Sequence, residues 1–185
     1  MAFEKYAEQK EVFYQGYDRN PLWGSIHNAI KAYARGTDNI VADYVPLDIF
    51  NVLAEGGPTG HVFNIVVIQY LISHLFNTGQ SDRIEELYSG IIDSVVSKRR
   101  TASPFLIIIN DIDTYHKGRN LFYKFLNLLE DNGYNGRSLA YSSYANGDLG
   151  KTRWGGNKVR NGNITYAYGN PPLGFEGAGL IIELR

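Results

Sequence analysis

Phe105-Leu-Ile-Ile-Ile-Asn-Asp-Ile-Asp113 decides the fold. The apolar run from Phe105 to Ile109 has no polar break, which predicts a strand covered on both faces. Upstream, Ile84, Leu87, Tyr88, Ile91, Ile92, Val95 and Val96 fall at i, i+3, i+4, i+7, i+8, i+11 and i+12, one continuous face of a helix. Asp82 with Glu85 suits its N-terminal cap, and Lys98-Arg99-Arg100 suits its C-terminal dipole. Downstream, Leu121, Phe122, Phe125, Leu128 and Leu129 mark one side of a second helix, stopped by Asn132-Gly133. A strand over Arg137 to Tyr144 follows. Helix–strand–helix–strand from 82 to 144 therefore reads as a parallel β-α-β unit with a right-handed crossover.

Toward the N-terminus, residues 3–18 read as a polar, tyrosine-bearing helix. Asn20-Pro21 supplies a cap and a first-position proline for a second helix, which runs to about Arg35 and stops at Gly36. Asp38 to Val45 reads as a short strand. Pro46 to Ala54 reads as a short helix ended by Gly56-Gly57-Pro58. Val62 to Phe76, 15 residues with Asn64, Gln69, Ser73 and His74 inside, falls short of the roughly 20 residues a membrane helix needs and reads as a buried helix. At the C-terminal end, Ile164–Tyr168 and Leu180–Leu184 read as strands separated by a Gly- and Asn-rich loop. The expectation is a single α/β domain over residues 1–185. Its helix-rich first two-thirds cover a small mixed sheet, and its C-terminus is rich in strands and loops.

Composition agrees with a globular domain that has a real core: 185 residues, 44% hydrophobic and 20% charged. A formal net charge of −1 gives no global attraction to nucleic acid or anionic membrane. The absence of cysteine excludes disulfides, cysteine-ligated zinc, iron–sulfur clusters and thiol nucleophiles. The charged start, Met1 to Lys10, has no apolar signal core. These features lead to the expectation of a chain without a membrane span or secretion signal, in the cytoplasm or within an assembled particle.

Asn110-Asp111-Ile112-Asp113 ends the apolar strand, and ligands of open α/β sheets bind beyond the carboxyl ends of strands. Asp111 and Asp113 at i, i+2 offer hard oxygen ligands for Mg²⁺; the competing reading is that one of them caps the following helix. The element resembles the acidic strand-end of P-loop ATPases, and also the apolar strand with Asp-x-Asp of nucleotidyl cyclase palm domains. Each resemblance spans about nine residues, and each implies a Mg²⁺-dependent reaction on a nucleotide or nucleic acid. The ATPase resemblance would also need Lys and then Ser or Thr after the last glycine of Gly56-Gly57-Pro58-Thr59-Gly60. His61 and Val62 stand there instead. The palm resemblance would need a further acidic element, for which only Asp148 is at hand. The four histidines form no i, i+4 pair, and no Gly-x-Ser-x-Gly elbow occurs.

From Leu149 to Phe175 the chain carries Lys151, Arg153, Lys158 and Arg160 and no acidic residue, with Trp154 and Tyr166 adding aromatic surface. Cations interleaved with aromatics suit a phosphate backbone and stacked bases, so segment 149–163 could hold nucleic acid. The same residues suit a protein contact, and a solvated hairpin tip is the plainest alternative. Fourteen tyrosines, among them Tyr6, Tyr14, Tyr17 and Tyr33 on otherwise polar faces, favour a protein that packs against others. The leading expectation is a non-catalytic interaction or assembly module with a protein partner or with itself, such as a structural subunit of a phage or viral particle, and without a cofactor. A Mg²⁺-dependent enzyme using Asp111 and Asp113 comes second. A nucleic-acid-binding protein comes third.

Overall fold

The structure, a computed structural model, describes residues 11–112, 117–142, 158–160 and 177–184. It is mixed α/β, and its contacts gather into two compact units, residues 1–55 and 56–185.

The first unit is a β-α-β element. Strand β1 (Val12–Tyr17) pairs in parallel with β2 (Ile40–Val45), from Val12 opposite Ile40 to Tyr17 opposite Val45. Helix α1 (Gly24–Arg35) makes the crossover that a parallel pair requires. The helix expected over residues 3–18 is thus corrected for the described part. Val12, Phe13, Tyr14 and Tyr17 favour extended backbone, and Gly16 would weaken a helix interior. Gly16 also seats the Tyr44 ring: a Cβ there would lie 2.7 Å from two ring carbons. His27 of α1 also stacks on Tyr44, its ring 4.2 Å from that of Tyr44 and nearly parallel to it. The cap at Asn20 is as expected, its side chain accepting from the Leu22 amide, although the first turn, Pro21–Trp23, is a 3₁₀ turn. Helix α2 (Ile49–Ala54) starts at Asp48, whose carboxylate accepts from the Phe50 amide at 3.0 Å and pairs with Arg19 at 2.9 Å.

The second unit is a five-stranded mixed sheet with a layer of helices. Strand order is β3 (Ile65–Gln69), β4 (Phe105–Ile112), β7 (Gly177–Leu184), β5 (Gly136–Ser142) and β6 (Lys158–Arg160). β3 is parallel to β4 and β6 to β5, while β7 runs antiparallel to both its neighbours. β4 and β5 therefore point the same way, as the expected β-α-β unit requires, but β7 is inserted between them. Helices α3 (Leu71–Asn77) and α5 (Lys117–Asp131) pack on the sheet, and α4 (Arg83–Ser94) packs on α3 and α5.

The α4 periodicity is reproduced in full. Ile84, Leu87, Tyr88, Ile91 and Ile92 are buried, and the face continues through Val95 into Val96, the first residue of a short 3₁₀ turn (Val96–Lys98). Asp82 makes no side-chain cap bond, so that expected cap is corrected.

The expected helix over Val62–Phe76 is also corrected. It divides into β3, a left-handed residue at Tyr70 (φ 55°), and the two-turn helix α3. Ile65-Val-Val-Ile68 is β-branched throughout, which stiffens χ1 and favours a pleated strand. The sheet then supplies the backbone pairing that a lone strand would lack. A left-handed non-glycine residue costs about 1–2 kcal/mol. Tyr70 adopts it at the joint, with its amide donating to the Asn110 carbonyl at 3.0 Å.

The expectation that β4 is covered on both faces needs revision as well. Phe105, Ile107, Ile109 and Asp111 are buried on the helix side, whereas Leu106, Ile108 and Asn110 are only half-buried on the other. Strand β7 repeats the alternation, with Leu180, Ile182 and Leu184 buried and Ile181 and Glu183 half-buried. Ile164–Tyr168, the remaining expected strand, lies outside the described residues.

Candidate functional site

The acidic strand-end is placed by β4. Asp111 sits on the face shared by Ile107 and Ile109 and is 1% exposed. Its Oδ2 accepts from the Ser73 amide of α3 at 3.0 Å, in buried surroundings. Ser73 N is one of the first N–H groups of α3 that have no partner within the helix. Asp111 therefore caps a helix, but α3 rather than the α5 that follows it in sequence.

Tyr88 of α4 lies near this carboxyl group and stacks on Phe125 of α5, ring centroids 4.4 Å apart and nearly parallel. Burial, and then the field of Asp111, hold the Tyr88 phenol well above the ordinary tyrosine range. Its hydroxyl is buried without a hydrogen-bond partner among the described residues. A phenol held neutral in this way cannot act as a base at ordinary pH.

Asp113 lies outside the described residues. Among the described residues no group of three or more His, Asp or Glu side chains stands close enough to hold a metal ion. The glycine segment Gly56–Gly60 is flanked by α2 before and β3 after, the reverse of the strand-to-helix context of a phosphate loop. It serves as a turn. Gly57 has φ 86°, and a Cβ there would come within 2.6 Å of Ser94 Cβ. The Lys98 ammonium donates to the Gly56 carbonyl at 2.6 Å.

Of the cationic segment, Lys151, Arg153, Trp154 and Tyr166 lie outside the described residues. Lys158 and Arg160 fall on β6, opposite Ala140 and Ser142 of β5. The two strands are parallel. β5 and β7, which bracket the whole segment, pair antiparallel, and residues 149–157 of the expected tip lie outside the described residues.

A surface that the sequence reading missed lies on the second face of the same sheet. In register across it stand Ile65 opposite Leu106 and Val67 opposite Ile108, with Ile108 opposite Ile181 in turn. Ile65 is 40% exposed and Val67 47%. The apolar strip gives way at its far side to Glu183, which pairs with Arg137 Nη2 at 2.5 Å and accepts from its Nε at 2.6 Å. The signal was present in the period-2 alternation of β3 and β4. It was hidden because both alternating sets are apolar.

No helix among the described residues is long and apolar enough to cross a membrane. No protein-family model matches the chain, and no curated protein matches it.

Proposed function

We propose that this chain is a non-catalytic interaction or assembly module that works by seating another polypeptide against the second face of its five-stranded sheet. The observation that carries this reading is the registered apolar strip Ile65, Val67, Leu106, Ile108 and Ile181, exposed most at its β3 edge. Contiguous apolar surface rimmed by polar residues is characteristic of interaction sites. The inward-facing Asp111, already bonded to Ser73, favours this reading over a Mg²⁺-dependent enzyme.

The test is chemical cross-linking in the cells that make the protein, with identification of every chain joined to it. Wild type is compared with Val67→Glu, which places a charge in the strip, and with Trp154→Ala, which removes the aromatic of the cationic segment. Loss of identified partners in Val67→Glu with a retained fold supports the strip. Loss in Trp154→Ala alone moves the contact to segment 149–163. Unchanged partners in both variants overturn the reading.

A further inference from the structure

We propose that the partner seated at the β3 edge is a second copy of this chain, the two β3 strands pairing antiparallel about Val67. This rests on the interaction-module reading and names its partner.

β3 is the terminal strand of the sheet, with β4 on one side and no strand on the other among the described residues. Its hydrogen-bonding phase is fixed at both ends. The Asn64 carbonyl accepts from the Leu106 amide at 2.8 Å, and the Tyr70 amide donates to Asn110. In a parallel ladder alternate residues face a given neighbour. Val66 and Ile68 therefore bond to β4, while Ile65, Val67 and Gln69 direct their N–H and C=O groups to the open side. These same three residues carry the exposed side chains of the strand. An incoming strand would satisfy backbone and side chain together.

An open edge is ordinarily protected by Lys, Pro, a bulge or an inward charge. From Val62 to Ser81 the sequence holds no Lys, Arg, Asp, Glu or Pro. That absence argues for a second copy in particular. Antiparallel pairing about Val67 sets Val67 opposite Val67 and Ile65 opposite Gln69, with no like charge brought together. A two-fold contact uses the same patch on both subunits, and β3 is complementary to itself in this sense. About six backbone hydrogen bonds would form, two for each facing pair. The Ile65–Val67 strip of one copy would continue into that of the other.

The experiment is sedimentation equilibrium on the whole chain. Wild type is expected at twice the chain mass. Val67→Lys and Val67→Glu, each alone, are expected at the mass of one chain, because each places like charges opposite one another at the two-fold axis. An equimolar mixture of the two is expected to recover the double mass, since Lys then faces Glu. Val67→Pro serves as a second probe. It removes an N–H directed to the open side and leaves the β4 ladder intact, so its circular dichroism should match wild type while its double mass is lost.

Self-pairing at β3 is overturned by a wild type that stays at single mass, by a double mass that Val67→Lys and Val67→Pro both leave intact, or by a mixture that fails to recover. A wild type at single mass overturns the second copy alone. The broader reading fails separately, when neither Val67→Glu nor Trp154→Ala strips a cross-linked chain in cells.

Discussion

Asp111 Oδ2 and the Ser73 amide lie 3.0 Å apart, so the carboxyl end of β4 holds the first turn of α3. The two residues are 38 positions apart in sequence, and the bond is buried. It ties an isoleucine-rich interior strand to a helix of only two turns, too short to be stable by itself. One of the two acids read as candidate metal ligands thus accepts a buried structural hydrogen bond.

Removing that acceptor should be costly. Asp111→Ala leaves the Ser73 N–H buried without a partner, and an orphaned buried donor costs about 1–3 kcal/mol. Asp111→Asn keeps an oxygen in place and should recover much of the loss. Urea unfolding of the three proteins measures both. Mg²⁺ at millimolar concentration should leave the wild-type midpoint where it is. A metal-dependent rise that Asp111→Asn abolishes would return the acid to ligand duty.

How much of this was legible follows from the range of each signal. α4, β4 and α5 were readable because their burial periodicity is local and long, as Ile84 through Val96 shows. Val62–Phe76 was misread because a short, wholly apolar run fits a buried helix and a strand equally by period. The β-branched Ile65-Val-Val-Ile68 was the better clue. The insertion of β7 between β4 and β5, and the Ser73–Asp111 bond, join residues far apart in the chain, and no local pattern encodes them. For the same reason the strip on the second sheet face became visible only once register placed Val67 beside Ile108.

The one-sided covering of β4 predicts a contrast between adjacent residues. Ile107 is fully buried against the helix layer, and its truncation to alanine should cost about 2–5 kcal/mol, as a large-to-small core change does. Ile108 is half-buried on the opposite face and should cost clearly less. Equal losses in denaturant midpoint would mean that both faces are core.

Tyr88 gives a prediction of the opposite sign. Its ring packs on Phe125, but its buried hydroxyl has no hydrogen-bond partner among the described residues. Tyr88→Phe keeps the stacking and removes a desolvated polar group, so stability should hold or rise by about 1 kcal/mol. A fall of that size in thermal unfolding would reveal a bond from the hydroxyl that this geometry does not contain.

The last prediction concerns pH and the first unit. Lys31 donates to Asp43 at 2.8 Å and to the Tyr44 carbonyl at 3.1 Å, pinning α1 to β2. The hydrogen bond from Lys31 is the largest influence holding the Asp43 carboxyl below the ordinary aspartate value of 3.8. A carboxyl whose folded value is depressed contributes stability that is present above its unfolded value and is lost as pH falls through the folded one. The contribution should therefore be intact at neutral pH and disappear in the acid range below about pH 4. The Asp43 side chain is 49% exposed, so solvent screens the pair and the effect should be small. Hydrogen exchange at the α1 and β2 amides, followed against pH, isolates it from the rest of the chain. Wild type should lose protection there on acidification, and Asp43→Asn should start lower and show a flatter profile. Parallel profiles in the two proteins would mean that the Lys31–Asp43 pair does not couple α1 to β2.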